Sequence, residues 1–324
     1  MAIIIGGSPS TGSSLLRRIL NRNAQVLCNG ETALFTKEGL YLNWESAKSK
    51  LLSRSFAGLR SMGWHHLVGL TNLADYGLQS TDLHGLMEKS PDGFEPFTHE
   101  FFSKALMESG KSIWAEKTPA NAFAFAYFLD QFPNGKVVHT VRHPLDTISS
   151  LINRGTSMFD AIALYLLNAS AAMAVEEDSR YYVIKYEDLV SGNEKVIFKL
   201  CQFLNIEFSA DMLEPEDSDG ADQMEGWAFK ETDRIQKGSV GRFNRLDEST
   251  RNEIIAHASI VKSKYSTYKS VFDVGRALRY NHLPDPLENR SLSSTLKKDI
   301  AKDKLIRTAK GAYFNMTNYP LYIE

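Results

Sequence analysis

Cysteine is scarce in this chain of 324 residues, which contains only Cys28 and Cys201, far apart in the sequence. Neither belongs to a CxxC pair, so the sequence excludes a disulfide framework and gives no support for a zinc knuckle. We interpret both residues as reduced, mostly buried thiols. The histidines show no metal-ligand spacing such as HExxH, and we therefore predict no metal site.

Long apolar runs and an excess of one charge are also missing. No apolar stretch approaches the roughly 20 residues that span a bilayer, and the N-terminus lacks the pattern of a secretory signal. We therefore expect a cytoplasmic protein with no membrane span. The formal net charge of −2 gives no indication of a nucleic-acid partner. Any anion site must come from the local placement of arginine and lysine, and the sequence does not indicate an oligomeric state.

Short apolar runs alternate with segments of helical spacing along most of the chain. The runs typical of buried strands cover residues 2–5, 25–28, 112–115, 136–141 and 181–186. Apolar residues recur at helical spacing over 120–132, 144–153, 159–176 and 194–204. This alternation predicts an α/β fold with a central parallel β-sheet of about five strands, flanked by helices.

The turn after the first strand is rich in glycine and hydroxyl residues: Gly6, Gly7, Ser8, Pro9, Ser10, Thr11, Gly12, Ser13 and Ser14. Its backbone N–H groups and the positive end of the next helix favour a phosphate. No lysine followed by serine or threonine ends the turn, so it is not a Walker A loop. It is not the GxSxG elbow of a hydrolase either, because such an elbow centred on Ser10 would need glycine at position 8, which is Ser8. The alternative is an ordinary strand-to-helix turn with good caps.

A second segment, residues 136–154, combines a strand with a helix that carries cations. Arg142 is predicted at the carboxyl end of the strand, where open α/β sheets bind ligands, and Pro144 suits the first turn of the helix. Ser150 and Arg154 are four residues apart and share a helix face. Two guanidinium groups and a hydroxyl can converge on one phosphate. A surface helix with a structural arginine is the alternative.

Together the two segments resemble the signatures of sulfotransferases that depend on 3′-phosphoadenosine 5′-phosphosulfate (PAPS), over about residues 1–245. The first family signature binds the 5′-phosphosulfate end and resembles the run Pro9, Ser10, Thr11, Gly12, Ser13 and Ser14. The second is an arginine with a serine eight residues later, which matches Arg142 and Ser150 and implies 3′-phosphate binding. The chain departs from the family at Ser10, where an arginine or lysine is usual.

Further segments are most similar to the tyrosylprotein-sulfotransferase-like branch of this family. The segment from Cys28 to Thr32 resembles the one that supplies a catalytic glutamate, which implies that Glu31 is the general base. The segment that begins at Glu116 resembles the one whose lysine stabilises the leaving group, which implies that role for Lys117. A strand-end motif implies that Tyr186 contacts the nucleotide.

A late glycine- and arginine-containing loop, residues 237–243, resembles the family loop that closes over the cofactor. It implies cofactor contacts from Ser239, Gly241 and Arg242. Because Ser10 replaces a basic residue, we expect Lys117 or Arg242 to supply the missing positive charge.

The resemblance implies a P-loop-type sulfotransferase fold over residues 1–282. Within it, residues 36–110 are expected to form a helical insertion that carries the acceptor site, and residues 283–324 an appendage packed on the domain. The implied reaction transfers a sulfuryl group from PAPS, without a metal, to a hydroxyl of a peptide tyrosine, a glycan or a small molecule. Two alternatives stay open: a small-molecule kinase, which would need a Walker lysine and a metal-holding acid, and a non-catalytic nucleotide-binding module, which Ser10 suggests.

Overall fold

A five-stranded parallel sheet forms the centre of the computed structural model, which describes residues 1–36, 38–52, 70–90, 93–191, 194–213, 240–264, 267–287, 294–313 and 321–323. The strands are β1 (Ala2–Gly7), β2 (Val26–Leu27), β3 (Ile113–Lys117), β4 (Lys136–Val141) and β5 (Tyr181–Lys185). Their order is β2-β3-β1-β4-β5, and every neighbouring pair is parallel. The predicted α/β fold is therefore confirmed.

The central strand β1 is buried on both faces, as its continuous apolar run predicts. Ile3 and Ile5 pack into one hydrophobic cluster together with Leu16 of the first helix. Ile4 points to the other face and joins an aromatic cluster that includes Trp114. Successive side chains of a strand alternate between faces, so this single strand anchors both layers of helices.

Helices cover both faces of the sheet. Their bounds are α1 (Ser13–Asn21), α2 (Glu38–Tyr41), α3 (Trp44–Leu52), α4 (Asp82–Lys89), α5 (Phe94–Ser109), α6 (Phe125–Gln131), α7 (Pro144–Asn153), α8 (Met158–Met173), α9 (Tyr186–Leu189), α10 (Glu194–Leu204), α11 (Glu248–Ile260), α12 (Val271–Ala277) and α13 (Ser294–Tyr313). Short 3₁₀ segments cover Leu34–Thr36, Leu73–Tyr76, Pro119–Ala124, Ala210–Leu213 and Phe243–Arg245. Helices α7 and α10 have the bounds that the sequence predicts.

The segment after β3 differs from the sequence prediction, because its first part is 3₁₀ rather than α-helical. The side-chain amide of Asn121 donates to the carbonyl oxygens of Ile5 and Glu116, both at 3.1 Å. The turn also packs closely on β1, since a Cβ added at Gly6 would lie 2.5 Å from the backbone nitrogen of Ala122. These contacts with the sheet determine the tighter winding, and regular α-helix begins at Phe125.

Residues 36–110 and residues 283–324 are the two segments for which the sequence predicts a separate role. The described part of residues 36–110 consists of α2 to α5 and a 3₁₀ turn, packed over an aromatic cluster that includes Phe35, Phe94 and Trp114. Near the C-terminus, β7 (Leu321–Ile323) pairs antiparallel with β6 (Val261–Ser263). Among the described residues, none of the helices has the length and apolar character that crossing a membrane requires.

Candidate active site

The carboxyl ends of all five strands lie at one edge of the sheet, and a predicted site residue follows each of them. The glycine-rich loop follows β1, Glu31 follows β2, Lys117 ends β3, Arg142 follows β4, and Tyr186 follows β5. The strand register aligns these ends, because Ile5 pairs with Lys117. Ligands of open α/β sheets bind at this edge.

The loop after β1 is braced from within by threonine hydroxyls. The Thr11 hydroxyl donates to the carbonyl oxygen of Ser8 at 2.6 Å and lies 2.8 Å from the Thr140 hydroxyl. A Cβ added at Gly7 would lie 2.2 Å from the carbonyl oxygen of Thr140, so the loop and β4 are in close backbone contact. Thr11, predicted as a cofactor-binding residue, thus has a hydroxyl that is already committed to the loop.

The N-terminus of α1 is left without a side-chain cap. Its capping residue, Gly12, has φ of 88° and no side-chain hydrogen bond to the helix. The first N–H groups of the helix therefore have no partner within the helix. Ser10 has φ of 70°, and its hydroxyl oxygen is buried with no hydrogen-bond partner among the described residues. These unused donors fit an anionic phosphate or sulfate group.

Lys117 and Glu31 form an ion pair beside this loop. The Lys117 ammonium is fully buried and contacts Glu31 Oε1, and it also donates to the Ser14 hydroxyl at 3.2 Å. The Glu31 side chain keeps 29% of its surface exposed. The cation is therefore fixed at the start of α1, while the carboxylate is open to solvent on its outer side.

Glu116 holds the two segments that carry this pair, a role that sequence reasoning did not assign to it. Its carboxylate is fully buried and accepts from Thr32 N and Oγ1, both at 2.9 Å, and from Thr118 Oγ1 at 2.7 Å. Asn121 Nδ2 donates to its second oxygen. Thr32 is adjacent to Glu31, so one buried carboxylate connects the base segment to the end of β3.

Arg142 lies on the opposite side of the loop. Its side chain is buried and its Nη1 donates to the carbonyl oxygen of Ser10 at 3.2 Å. The guanidinium carbon lies 4.8 Å from the centre of the Tyr186 ring, a cation–π arrangement. Burial lowers the pKa of Arg142, and the negative charge of Asp146 partly offsets this. The guanidinium nevertheless stays cationic.

Two further arginines lie near Arg142, and Ser150 is buried on α7 in the same region. Burial lowers the pKa of Arg154, and the charge of Arg242 lowers it further. Arg242 also lowers the pKa of Arg142, so its charge acts on both of the other arginines. Ser239, also predicted as a cofactor contact, lies outside the described residues.

Two acidic residues connect this region to the rest of the chain, and sequence reasoning gave neither a role in the site. Asp146 accepts hydrogen bonds from the backbone N–H groups of Gly241 and Phe243. Glu187 accepts from His143 N at 2.9 Å and from the Tyr280 hydroxyl at 3.0 Å. Their partners are 44 to 97 residues away in the sequence, so only a generic signal, an acid in the first turn of a helix, was available.

The fold is that of an α/β protein, and this edge carries a candidate anion site, which consists of a strand-to-helix loop and clustered arginines. The model of the sulfotransferase family matches residues 2–210, which is more than half of the chain. The chain belongs to the sulfotransferase family. The resemblance inferred from the two motifs is therefore confirmed, and the activity of the family is sulfuryl transfer.

Two relatives from animals extend this result. A protein provisionally named protein-tyrosine sulfotransferase in Caenorhabditis briggsae is 22% identical over 232 residues, which are 68% of this chain and 71% of that protein. The protein-tyrosine sulfotransferase of Drosophila melanogaster is 23% identical over 227 residues, 66% of this chain and 40% of the relative.

Two solved structures share the fold. The sulfotransferase domain of the Synechococcus PCC 7002 olefin synthase superposes with a TM-score of 0.54 at 17% identity, over 88% of this chain and 95% of that domain. The sulfotransferase domain of the curacin biosynthetic pathway gives the same TM-score at 20% identity, over 87% and 98% of the two chains. Within the described residues, no group of three or more His, Cys, Asp or Glu side chains is arranged to hold a metal ion.

Proposed function

We propose that this chain transfers the sulfuryl group of PAPS to a hydroxyl group of an acceptor. The observation that carries the proposal is the ion pair of Lys117 and Glu31 beside the uncapped start of α1. On binding, PAPS would supply an activated sulfuryl group, and its transfer would leave adenosine 3′,5′-bisphosphate as the second product. The scheme invokes no metal, because the adenosine bisphosphate is already a good leaving group and Lys117 would supply a positive charge next to it.

Glu31 is proposed as the general base. Its carboxylate is the group in this part of the site that can take a proton while remaining open to an incoming substrate. It would accept the proton of the acceptor hydroxyl as that oxygen forms its bond to sulfur. General-base assistance of this kind contributes about 10²–10⁴ in rate.

Lys117 is proposed to stabilise the negative charge that develops on the leaving phosphate oxygen. Its ammonium is buried and fixed between Glu31 and Ser14, so it needs no reorganisation during the reaction. This lysine also offers an answer to the missing basic residue at Ser10, because a cation is still present at the start of α1.

The donor is proposed to lie across the loop toward the arginines. The N–H groups at the start of α1 would bind the 5′-phosphosulfate, and Arg142 with Ser150 would bind the 3′-phosphate. Tyr186 packs beneath Arg142 and would contact the nucleotide. Arginine suits this role, because its planar guanidinium group can donate hydrogen bonds to two phosphate oxygens at once.

For the acceptor we propose tyrosine in a peptide, and residues 36–110 as the segment that binds it. Two relatives are named protein-tyrosine sulfotransferases. Residues of this segment border the base directly, because the side chains of Thr71 and Asn72 both donate to the backbone carbonyl of Glu31. Both side chains are exposed, so they line the approach to the carboxylate.

The first test is calorimetric titration with adenosine 3′,5′-bisphosphate, with Mg-ATP as the parallel ligand. We expect micromolar binding of the bisphosphate and its loss in Arg142→Ala. Arg180→Ala is the matched control, since Arg180 precedes β5 at the opposite edge of the sheet and pairs with Asp178. Preference for Mg-ATP would favour the kinase alternative, and binding of the bisphosphate without sulfation of any acceptor would favour the non-catalytic module.

The second test measures sulfation of a tyrosine peptide from PAPS. Glu31→Gln should lower turnover by about 10²–10⁴ with nearly unchanged affinity for the bisphosphate. Asp188→Asn, which removes an exposed carboxylate after β5, is the matched control and should keep wild-type turnover. Wild-type turnover in Glu31→Gln would rule out the assigned base. A second assay in EDTA distinguishes the reaction from metal-dependent phosphoryl transfer.

A further inference from the structure

Asp146 holds the loop that carries Arg242. It lies in the first turn of α7 and is almost fully buried. The N–H of Gly241 donates to its Oδ2 at 2.7 Å, and the N–H of Phe243 donates to its Oδ1 at 2.8 Å. Both bonds are short and charge-assisted, which makes them stronger than bonds between neutral groups. One carboxylate thus binds the residues on both sides of Arg242.

The loop conformation depends on these two anchors. Gly241 has φ of 73°, a left-handed conformation that glycine adopts without strain. Phe243 is buried in the hydrophobic cluster that also contains residues of α7 and α8. With the residues on either side fixed to α7, the backbone of Arg242 has little freedom left.

Arg242 lies beside two other cations. It is close enough to Arg142 and Arg154 to lower the pKa of both. Its Nε is buried and has no hydrogen-bond partner among the described residues. Arg242 therefore repels both of these guanidinium groups, and a doubly charged phosphate would relieve that repulsion.

A carboxylate next to an anion site would ordinarily repel the anion. Here each carboxylate oxygen of Asp146 accepts a backbone N–H of the loop, and its negative charge raises the pKa of the neighbouring Arg142. The residue is therefore suited to organising the cations around a phosphate rather than to binding the phosphate itself.

We propose that Asp146 is a positioning residue for donor selection, which docks residues 240–243 on α7 and so directs Arg242 to the 3′-phosphate. The inference rests on the proposed donor. It assigns selectivity for the bisphosphate over adenosine 5′-phosphate to a residue that touches neither nucleotide.

The test compares binding of adenosine 3′,5′-bisphosphate and adenosine 5′-phosphate by calorimetry. Asp146→Asn should weaken the bisphosphate about 10- to 100-fold, as expected for loss of one charged contact, and leave the monophosphate within about twofold. The double variant Asp146→Asn/Arg242→Ala should bind the bisphosphate no more weakly than Arg242→Ala alone, because both changes remove the same contact. Ser149→Ala is the control, since within the described residues the Ser149 hydroxyl donates to the carbonyl oxygen of Leu145 in its own helix.

Amide hydrogen exchange of the unliganded protein tests the docking itself, without activity or donor. The N–H groups of Gly241 and Phe243 should exchange faster in Asp146→Asn than in wild type or Ser149→Ala, because the asparagine side chain can accept only one of them. Unchanged exchange would overturn the proposal, even if the nucleotide affinities changed.

The nucleotide results separate the two hypotheses. Equal weakening of both nucleotides, or additive losses in the double variant, would show a general structural role and overturn the positioning role. If wild type binds neither nucleotide, the proposed donor is wrong, whereas faster exchange in Asp146→Asn would still support docking by Asp146. If Asp146→Asn does not fold, Arg242→Ala serves as the test. It should weaken binding of the bisphosphate and leave binding of the monophosphate unchanged, and equal losses for both nucleotides would contradict the proposal.

Discussion

The ion pair of Lys117 and Glu31 predicts that stability and turnover respond differently to the same substitutions. Breaking a buried pair by removing one partner costs about 3–5 kcal/mol, because the other charge stays buried. Lys117 is fully buried, whereas Glu31 is 29% exposed. Glu31→Gln should therefore cost about 3 kcal/mol, at the lower end of that range, since the glutamate side already contacts water.

The reverse substitution should cost less. Lys117→Met leaves the Glu31 carboxylate without its cation, but that carboxylate can be hydrated on its exposed side, so we expect about 1 kcal/mol. The double variant Glu31→Gln/Lys117→Met leaves no unpaired charge and should return to within about 1 kcal/mol of wild type. None of the three variants should turn over at the wild-type rate if the proposed mechanism holds.

Chemical and thermal unfolding measure these differences. At about 2.1 cal/mol/K of unfolding entropy per residue, 1 kcal/mol changes the Tm of a chain of 324 residues by roughly 1.5 °C, so Glu31→Gln should lower Tm by about 4–5 °C. The double variant should recover most of that loss while remaining inactive. If the double variant is as unstable as the sum of the single variants, the two side chains do not form a coupled pair and the reasoning is wrong.

Two further predictions concern the effects of Gly12 and His139 on stability. Gly12→Ala should destabilise the protein by about 1–3 kcal/mol and weaken bisphosphate binding, because φ is 88° and the new Cβ would lie 2.7 Å from the Tyr186 ring; wild-type Tm would contradict this. Burial lowers the pKa of His139 to about 3, against about 6.5 in the unfolded chain. The unfolded state therefore binds the extra proton, and stability should fall as pH drops below about 6.5, by up to about 1.4 kcal/mol per pH unit. The free energy of unfolding of His139→Gln, measured across pH 4–7, should depend less steeply on pH than that of wild type, by up to that amount.

Local patterns were enough to predict the sheet, because each strand is a short apolar run closed by a turn. The bounds of α7 followed from Pro144, whose missing N–H suits a first helical turn. The 3₁₀ start at Pro119–Ala124 could not be predicted, since it depends on Asn121 bonding across to β1. Tertiary contacts of this kind override local spacing.

The same distinction holds at the site. Loop glycines, Glu31, Lys117 and Arg142 stand next to strand ends, so a single sequence locates them at one edge of a parallel sheet. Asp146 and Glu116 act through partners elsewhere in the chain, and nothing in their local sequence identifies those partners. The roles of the site residues, the domain boundary at residue 282, the acceptor segment and the cytoplasmic location stay predictions.

The central position of β1 divides the active edge into two halves. On one side, β3 and β2 carry Lys117 and Glu31, and on the other, β4 and β5 carry Arg142 and Tyr186. In chain order, residues 36–110 lie between β2 and β3, the two strands on the side of the proposed base. Under the proposed roles, substitutions in this insertion would change acceptor choice without changing donor recognition. A chimera that exchanges only this insertion should accept different acceptor substrates, while its affinity for the nucleotide stays unchanged.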